Sequence, residues 1–203
     1  MKGETELIAA ICAAKRKTHG EVRRRIAELK RNSDWFSELC FCLLTANWTA
    51  EGGMRIQKEG GDFASLPAKQ IRALLKRCGH RFPNARAKYI CEAKRHRDAL
   101  RDLRRLPNDA ERREWLVRNV RGLGYKEASH FLRNVGFLDA AIIDRHILNV
   151  LAEYGIIKKP KTLTRRRYLE IEGALRRIAR RMRLSLGELD FYLWWMKTGK
   201  ILK

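Results

Sequence analysis

The chain has 203 residues, 45% of them hydrophobic, which is enough for a packed core in one domain or two small lobes. Lys and Arg number 45 against 23 Asp and Glu, a formal net charge of +22. A charge of that size argues for a polyanionic partner, most simply nucleic acid, although a membrane surface or a ribosome also fits.

No apolar run approaches the roughly 20 residues of a membrane span. The apolar stretch of the N-terminus is too short and too soon broken by charge for a signal peptide, so a cytoplasmic protein is expected. The five cysteines, Cys12, Cys40, Cys42, Cys78 and Cys91, are scattered and odd in number. They form no C-x-x-C pair, so neither a metal site nor a disulfide framework is expected, and most read as small buried apolar residues.

In chain order the pattern is helical throughout, with little proline and no strand-length alternation. Helices are expected over 5–17 and 21–31. Asn32-Ser33-Asp34 offers an N-cap for a helix over 35–46 that is apolar nearly all round, and so the buried centre of its lobe. The segment N-W-T-A-E-G-G reads as a break. Ser65-Leu66-Pro67 opens a helix that Gly79 ends. A long basic helix follows over about 84–103. Asn108 and Glu111 have capping-box spacing for a helix to about 119. Beyond a Gly-x-Gly turn lie helices at 126–135, closed by Gly136, and at 145–154, closed by Gly155. Thr164 caps the next. Ser185 with Glu188 is a capping box for the last, which ends at Gly199.

The chemistry centres on the Gly-x-Gly turn. Gly122 and Gly124 join two helices, and a tight turn opening a helix presents N–H groups to an anion. Lys126 sits in the first turn after it, a poor place for a cation because the helix N-terminus is itself positive. One reading is a solvated or phosphate-contacting lysine. The other is an amine made a nucleophile by a disfavoured positive charge. Asp144 follows the apolar run 140–143 and suits both an N-cap and a rigidly held carboxylate. His130, one turn after Lys126, and His146 read as hydrogen-bonding structural partners.

These residues carry a family resemblance. G-L-G-Y-K-E-A-S-H-F-L-R-N-V-G followed by I-I-D-R-H resembles the helix-hairpin-helix DNA glycosylases with their Gly/Pro–Asp loop. L-L-T-A-N-W-T-A-E, G-H-R-F-P-N-A-R-A-K-Y-I and L-W-W-M-K-T-G-K-I-L-K are similar to the archaeal-type (type-2) 8-oxoguanine DNA glycosylase/AP lyases, over essentially the whole chain. The resemblance implies an all-α fold of two helical lobes around a DNA-binding cleft. The expected division is 33–122 for a central lobe, and 1–32 with 123–203 for a second lobe carrying the catalytic residues, the hairpin 119–126 lying at the junction.

It also implies a chemistry. The damaged nucleotide is flipped out, Lys126 displaces 8-oxoguanine from the sugar, and Asp144 supports the cationic sugar. The Schiff base then allows β-elimination, with no metal or organic cofactor. Phe82 and Trp194 resemble the pair that sandwiches the base. Of the adjacent indoles of Trp194 and Trp195, one is expected in the core and one in the pocket. Lys203 matches a terminal lysine that reaches the base, and Asn47 a residue that fills the space left by the flipped nucleotide. No cysteine follows Cys91, so the iron–sulfur cluster of related glycosylases is not expected. The implied partner is duplex DNA containing 8-oxoguanine, bound by a monomer in a prokaryotic cytoplasm, with no membrane involved. A glycosylase for another lesion, such as an oxidised pyrimidine, and a non-catalytic DNA-binding module are the alternatives.

Overall fold

The computed structural model describes residues 2–202, of Lys2 the backbone alone, so Lys203 lies outside the described residues. Every regular element among them is helical. The fold is all-α, as expected. The chain forms two compact units, Met1–Arg31 with Gly136–Lys203, and Asn32–Val135.

Helix α1 (Lys2–Arg31) is continuous where two helices, 5–17 and 21–31, were expected. Leu7, Ile11, Ala14, Thr18, Val22, Ile26 and Leu29 are all buried, at steps of three or four residues. That single apolar stripe runs past Gly20, which faces solvent and breaks nothing.

In the unit Asn32–Val135, α2 (Trp35–Thr45) is buried at every position but Ser37, and the Asp34 side chain accepts from Ser37 N. The break after it is shorter than expected. Thr49 caps a further helix, α3 (Ala50–Gly60), which Gly52 and Gly53 had masked in the sequence. Gly53 has a packing reason: a Cβ there would come within 2.8 Å of Thr45 Cγ2 and 3.1 Å of Phe41. Then come α4 (Ala68–Arg77) and α5 (Pro83–Ala93). The basic helix expected to reach 103 stops at Ala93. Lys94–His96 and Ala99–Arg105 are 3₁₀ turns, which bury Leu100 and Leu103 at the three-residue repeat of that helix.

Helix α6 (Asp109–Asn119) is capped by Asn108, as expected, and leads to α7 (Tyr125–Asn134). On α7, Asn134 Nδ2 donates to Glu38 Oε2 of α2 at 3.0 Å, and Gln57 Nε2 of α3 donates to Glu38 Oε1 at 3.3 Å. Through Glu38 these bonds, the first of them buried, tie α7 and α3 to α2. The boundary therefore falls after Val135 and not at 122, so the hairpin and Lys126 belong to the same unit as α2.

The other unit adds α8 (Arg145–Glu153), α9 (Arg165–Arg181) and α10 (Leu186–Thr198) to α1. Asp144, Thr164 and the Ser185–Glu188 capping box start these three helices as the sequence predicted. Among the described residues no helix is long and apolar enough to cross a membrane, and no group of three or more His, Cys, Asp or Glu is placed to hold a metal ion.

Candidate active site

The turn between α6 and α7 uses its two glycines differently. Gly122 has φ +94°, and a Cβ there would meet the Tyr89 ring at 2.5 Å, so both backbone and packing require glycine. Gly124 has φ −94° and ψ −175°, which any residue adopts. A Cβ on it would find only Glu127 Oε2, at 3.2 Å. The absent side chain at 124 is thus not needed by the fold. It leaves α7 without a side-chain cap, and its first N–H groups open to an incoming anion.

Lys126 follows, half-buried, with Nζ 3.8 Å from Glu127 Oε1. His130, one turn on, is buried with its ring edge-on to Phe41 at 5.5 Å. It serves the core. Cys42 is also buried, and its thiol is pushed well up by burial and by Glu38, against the opposing pull of Lys126 and Arg133.

Two further residues that the sequence singles out as site candidates belong to this unit. Asn47 is exposed and takes the left-handed conformation, φ 59°, in the break after α2. A non-glycine residue held there is a local strain that the surroundings must impose. Phe82, the residue before α5, is the one large apolar side chain left exposed among the described residues, at 37%. Between them stands Arg86, which sequence reasoning missed. It is buried, and its Nη2 donates to Ala46 O at 2.7 Å, next to Asn47. Its guanidinium lies 6.0 Å from the Phe82 ring and 5.7 Å from that of Tyr89, against which Gly122 rests. Burial pulls its pKa below the usual arginine value, but a guanidinium remains charged. One side chain thus links Asn47, Phe82 and the glycine turn.

In the other unit, Asp144 caps α8. Its Oδ1 accepts from His146 N at 2.8 Å and Ile147 N at 2.9 Å. The buried strand of chain before it is pinned by α9: Ala141 N donates to Glu172 Oε2 at 2.9 Å, Tyr168 OH donates to Ala141 O at 2.6 Å, and Ile143 N donates to Tyr168 OH at 3.3 Å. Asp144 is therefore rigid from both sides. Trp194 is half-buried, stacks edge-on to His146 at 4.8 Å, and has its Nε1 buried without a hydrogen-bond partner. Trp195 is half-buried too, with Lys17 Nζ 5.9 Å from its ring, so neither indole is in the core where one was expected. Phe191, Tyr192 and Leu193 fill that role.

The comparisons with known proteins point one way. The family described as 8-oxoguanine DNA glycosylase, Ogg-HhH, matches residues 19–184. The chain is 54% identical over 189 residues to an 8-oxoguanine DNA glycosylase/AP lyase of Methanocaldococcus jannaschii, covering 90% of this chain and 91% of the relative. It is 52% identical over 188 residues to a protein of the same description from Korarchaeum cryptofilum, covering 90% of each. A crystal structure of the M. jannaschii 8-oxoguanine glycosylase/lyase in complex with a 15mer DNA containing 8-oxoguanine matches with a TM-score of 0.94 and 51% identity, over 98% of this chain and 100% of that one.

Proposed function

The chain belongs to the 8-oxoguanine DNA glycosylase family, and we propose that it removes 8-oxoguanine from duplex DNA and then cleaves the abasic strand. It is a bifunctional glycosylase and AP lyase of base-excision repair. The observation that carries this is the match over 98% of the chain to a relative solved with 8-oxoguanine DNA.

The residues take these roles. The N–H groups opening α7 at Gly124 bind a phosphate, and the +22 charge draws the duplex in. The lesion nucleotide leaves the stack, Asn47 fills its place, and Phe82 and Trp194 hold the base by their faces. Lys203 is the remaining base contact in this reading.

The Lys126 amine, in its neutral form, attacks C1′. The C1′–N9 bond breaks, and its electron pair leaves with the base, which takes up a proton. Asp144 opposes the positive charge that builds on the sugar, and the proton lost by the amine passes to its carboxylate. The sugar ring opens to a Schiff base between Lys126 and C1′. Its positive charge acidifies the C2′ hydrogen, and loss of that proton expels the 3′ phosphate by cleavage of the C3′–O bond. Water hydrolyses the Schiff base and restores the amine. The protein acts as a monomer in a prokaryotic cytoplasm.

Borohydride trapping tests the mechanism. Wild type with an 8-oxoguanine duplex should give a covalent adduct, and Lys126→Gln should give neither adduct nor base release. Equal adduct from Lys126→Gln would make another amine the nucleophile. A thymine-glycol duplex processed faster than the 8-oxoguanine duplex would make an oxidised pyrimidine the substrate, and DNA binding without any adduct would leave a binding module.

A further inference from the structure

We propose that His80 is a positioning residue that sets the base-holding ring of Phe82; the proposal rests on the base contact assigned to Phe82 above. His80 lies in the segment between α4 and α5. Gly79 takes φ +69°, and His80 N donates to Leu75 O at 2.9 Å, which turns the His80 side chain inward. His80 as a whole is 4% exposed.

Its two nitrogens hold opposite partners. Nε2 lies 2.9 Å from Leu44 O, and a carbonyl only accepts, so Nε2 carries the hydrogen. Phe82 N donates to Nδ1 at 2.9 Å, so Nδ1 is bare. Both bonds exist together only in the neutral Nε2–H tautomer. Burial favours that form by lowering the pKa of the ring against the opposing pull of the Leu44 bond, and the Arg86 charge adds to the lowering.

The ring also packs on Trp48, centroids 4.3 Å apart. Its partners are therefore the last turn of α2, the indole next to Asn47, and the main chain of Phe82. Phe82 is not helical, with φ −130° and ψ 59°, and makes no cap with its side chain. The bond from its N–H to His80 fixes the backbone from which the exposed ring projects. An aromatic face that must meet a flipped base gains from being set in advance, because a misplacement of about 1 Å at such a contact costs on the order of a hundredfold in rate.

Two substitutions separate the two bonds. In His80→Asn the amide oxygen overlays Nδ1 and still accepts from Phe82 N, but cannot reach Leu44. In His80→Gln the amide NH₂ reaches Leu44 O but leaves Phe82 N without its acceptor. Single-turnover release of 8-oxoguanine, cleavage of a preformed abasic duplex, and melting temperature are measured for each. Both variants should lose roughly 2–4 °C in Tm. His80→Gln should lose about tenfold to a hundredfold in base release, and far less in abasic cleavage, where there is no base to hold. His80→Asn should keep base release within about threefold of wild type.

Equal losses of base release in the two variants, or equal losses in base release and abasic cleavage, would make His80 a packing residue and overturn the proposal. Phe82→Ala is the control. If it releases base at the wild-type rate, the reading of Phe82 has failed and the proposal with it. If Phe82→Ala loses base release and His80→Gln does not, the failure is that of His80 alone. Nitrogen NMR of the wild-type ring gives a reading that needs no variant: an Nδ1–H tautomer or an imidazolium near neutral pH would remove the acceptor and overturn the proposal.

Discussion

Asp144 has two roles in this account, and a pair of substitutions separates them by magnitude. Its Oδ1 holds the N–H groups of His146 and Ile147 at the start of α8. Asp144→Ala removes that cap and should cost about 1 kcal/mol, in the range 0.5–2, or roughly 2–4 °C in Tm for a chain of this size. Asn caps a helix about as well as Asp, so Asp144→Asn should lose mainly the attraction of the charge to the helix dipole, about 0.3–1 kcal/mol. Catalysis should order the variants differently. Either one removes the carboxylate that opposes the cationic sugar, a group of a kind worth about 10²–10³-fold, or roughly 2.7–4 kcal/mol. The neutral amide must therefore leave the helix nearly intact and abolish most of the activity.

Thermal melts and single-turnover base release, run on both variants, check this. If Asp144→Asn releases base within about threefold of wild type, a loss well below that expected of such a group, Asp144 is a helix cap and nothing more. If Asp144→Asn loses as much Tm as Asp144→Ala, the hydrogen bonds are not what holds the start of α8, and the positioning argument fails.

Four other outcomes are expected. Gly122→Ala should destabilise by at least about 1–2 kcal/mol from its left-handed backbone alone, with the Tyr89 contact added. Gly124→Ala should change Tm less and weaken duplex binding, and fluorescence anisotropy showing equal affinity would exclude a phosphate at that turn. The folded pKa of His80 lies below 6.5, so the unfolded chain takes up the proton more readily and stability falls as pH drops through that value. Tm should therefore decline less between pH 7.5 and pH 5.5 (both approximate) in His80→Asn than in wild type, where this term operates; parallel curves would contradict it. Cys40 and Cys42, fully buried with thiols pushed well up by burial, should resist alkylation of the native protein while half-buried Cys91 reacts; equal rates by mass spectrometry would show that the core of α2 opens.

What could be read from the sequence was local. Asn108, Asp144, Thr164 and Ser185 announce their helices because a cap reaches only two or three residues along the chain. The continuity of α1 was missed because it depends on a stripe from Leu7 to Leu29 that a glycine interrupts only on the solvent side. The 3₁₀ turns of 94–105 repeat apolar residues every three positions, as a helix face also does. At the candidate site, Lys126 and Asp144 were singled out by the glycine turn and by motif resemblance, whereas His80, Arg86, Tyr168 and Glu172 were not singled out at all. His80 and Arg86 bind main-chain carbonyls 36 and 40 residues away. Glu172 and Tyr168 bind the main chain of 141–143, some 25 to 31 residues off. Every residue offers the same carbonyl and N–H, so such a bond leaves no complementary side chain for a pattern to reveal.

The setting of Lys126 also differs from its sequence reading in a way that bears on mechanism. A lysine in the first turn of a helix was read as a cation set against the dipole. The structure adds Glu127 at 3.8 Å, a carboxylate in the part of the helix where negative charge is favourable. The pair is partly open to solvent, and contacts of that kind are worth about 0–1 kcal/mol. A fully buried pair would cost about 3–5 kcal/mol to break, a barrier that the attacking amine would have to cross in each turnover. The phosphate binding proposed for the neutral N–H groups at Gly124 would have a matching consequence: the turn would grip DNA without committing the amine as its counter-ion. On the proposed mechanism, Lys126 would thus be held beside the glycine turn by a contact weak enough to release it toward the sugar.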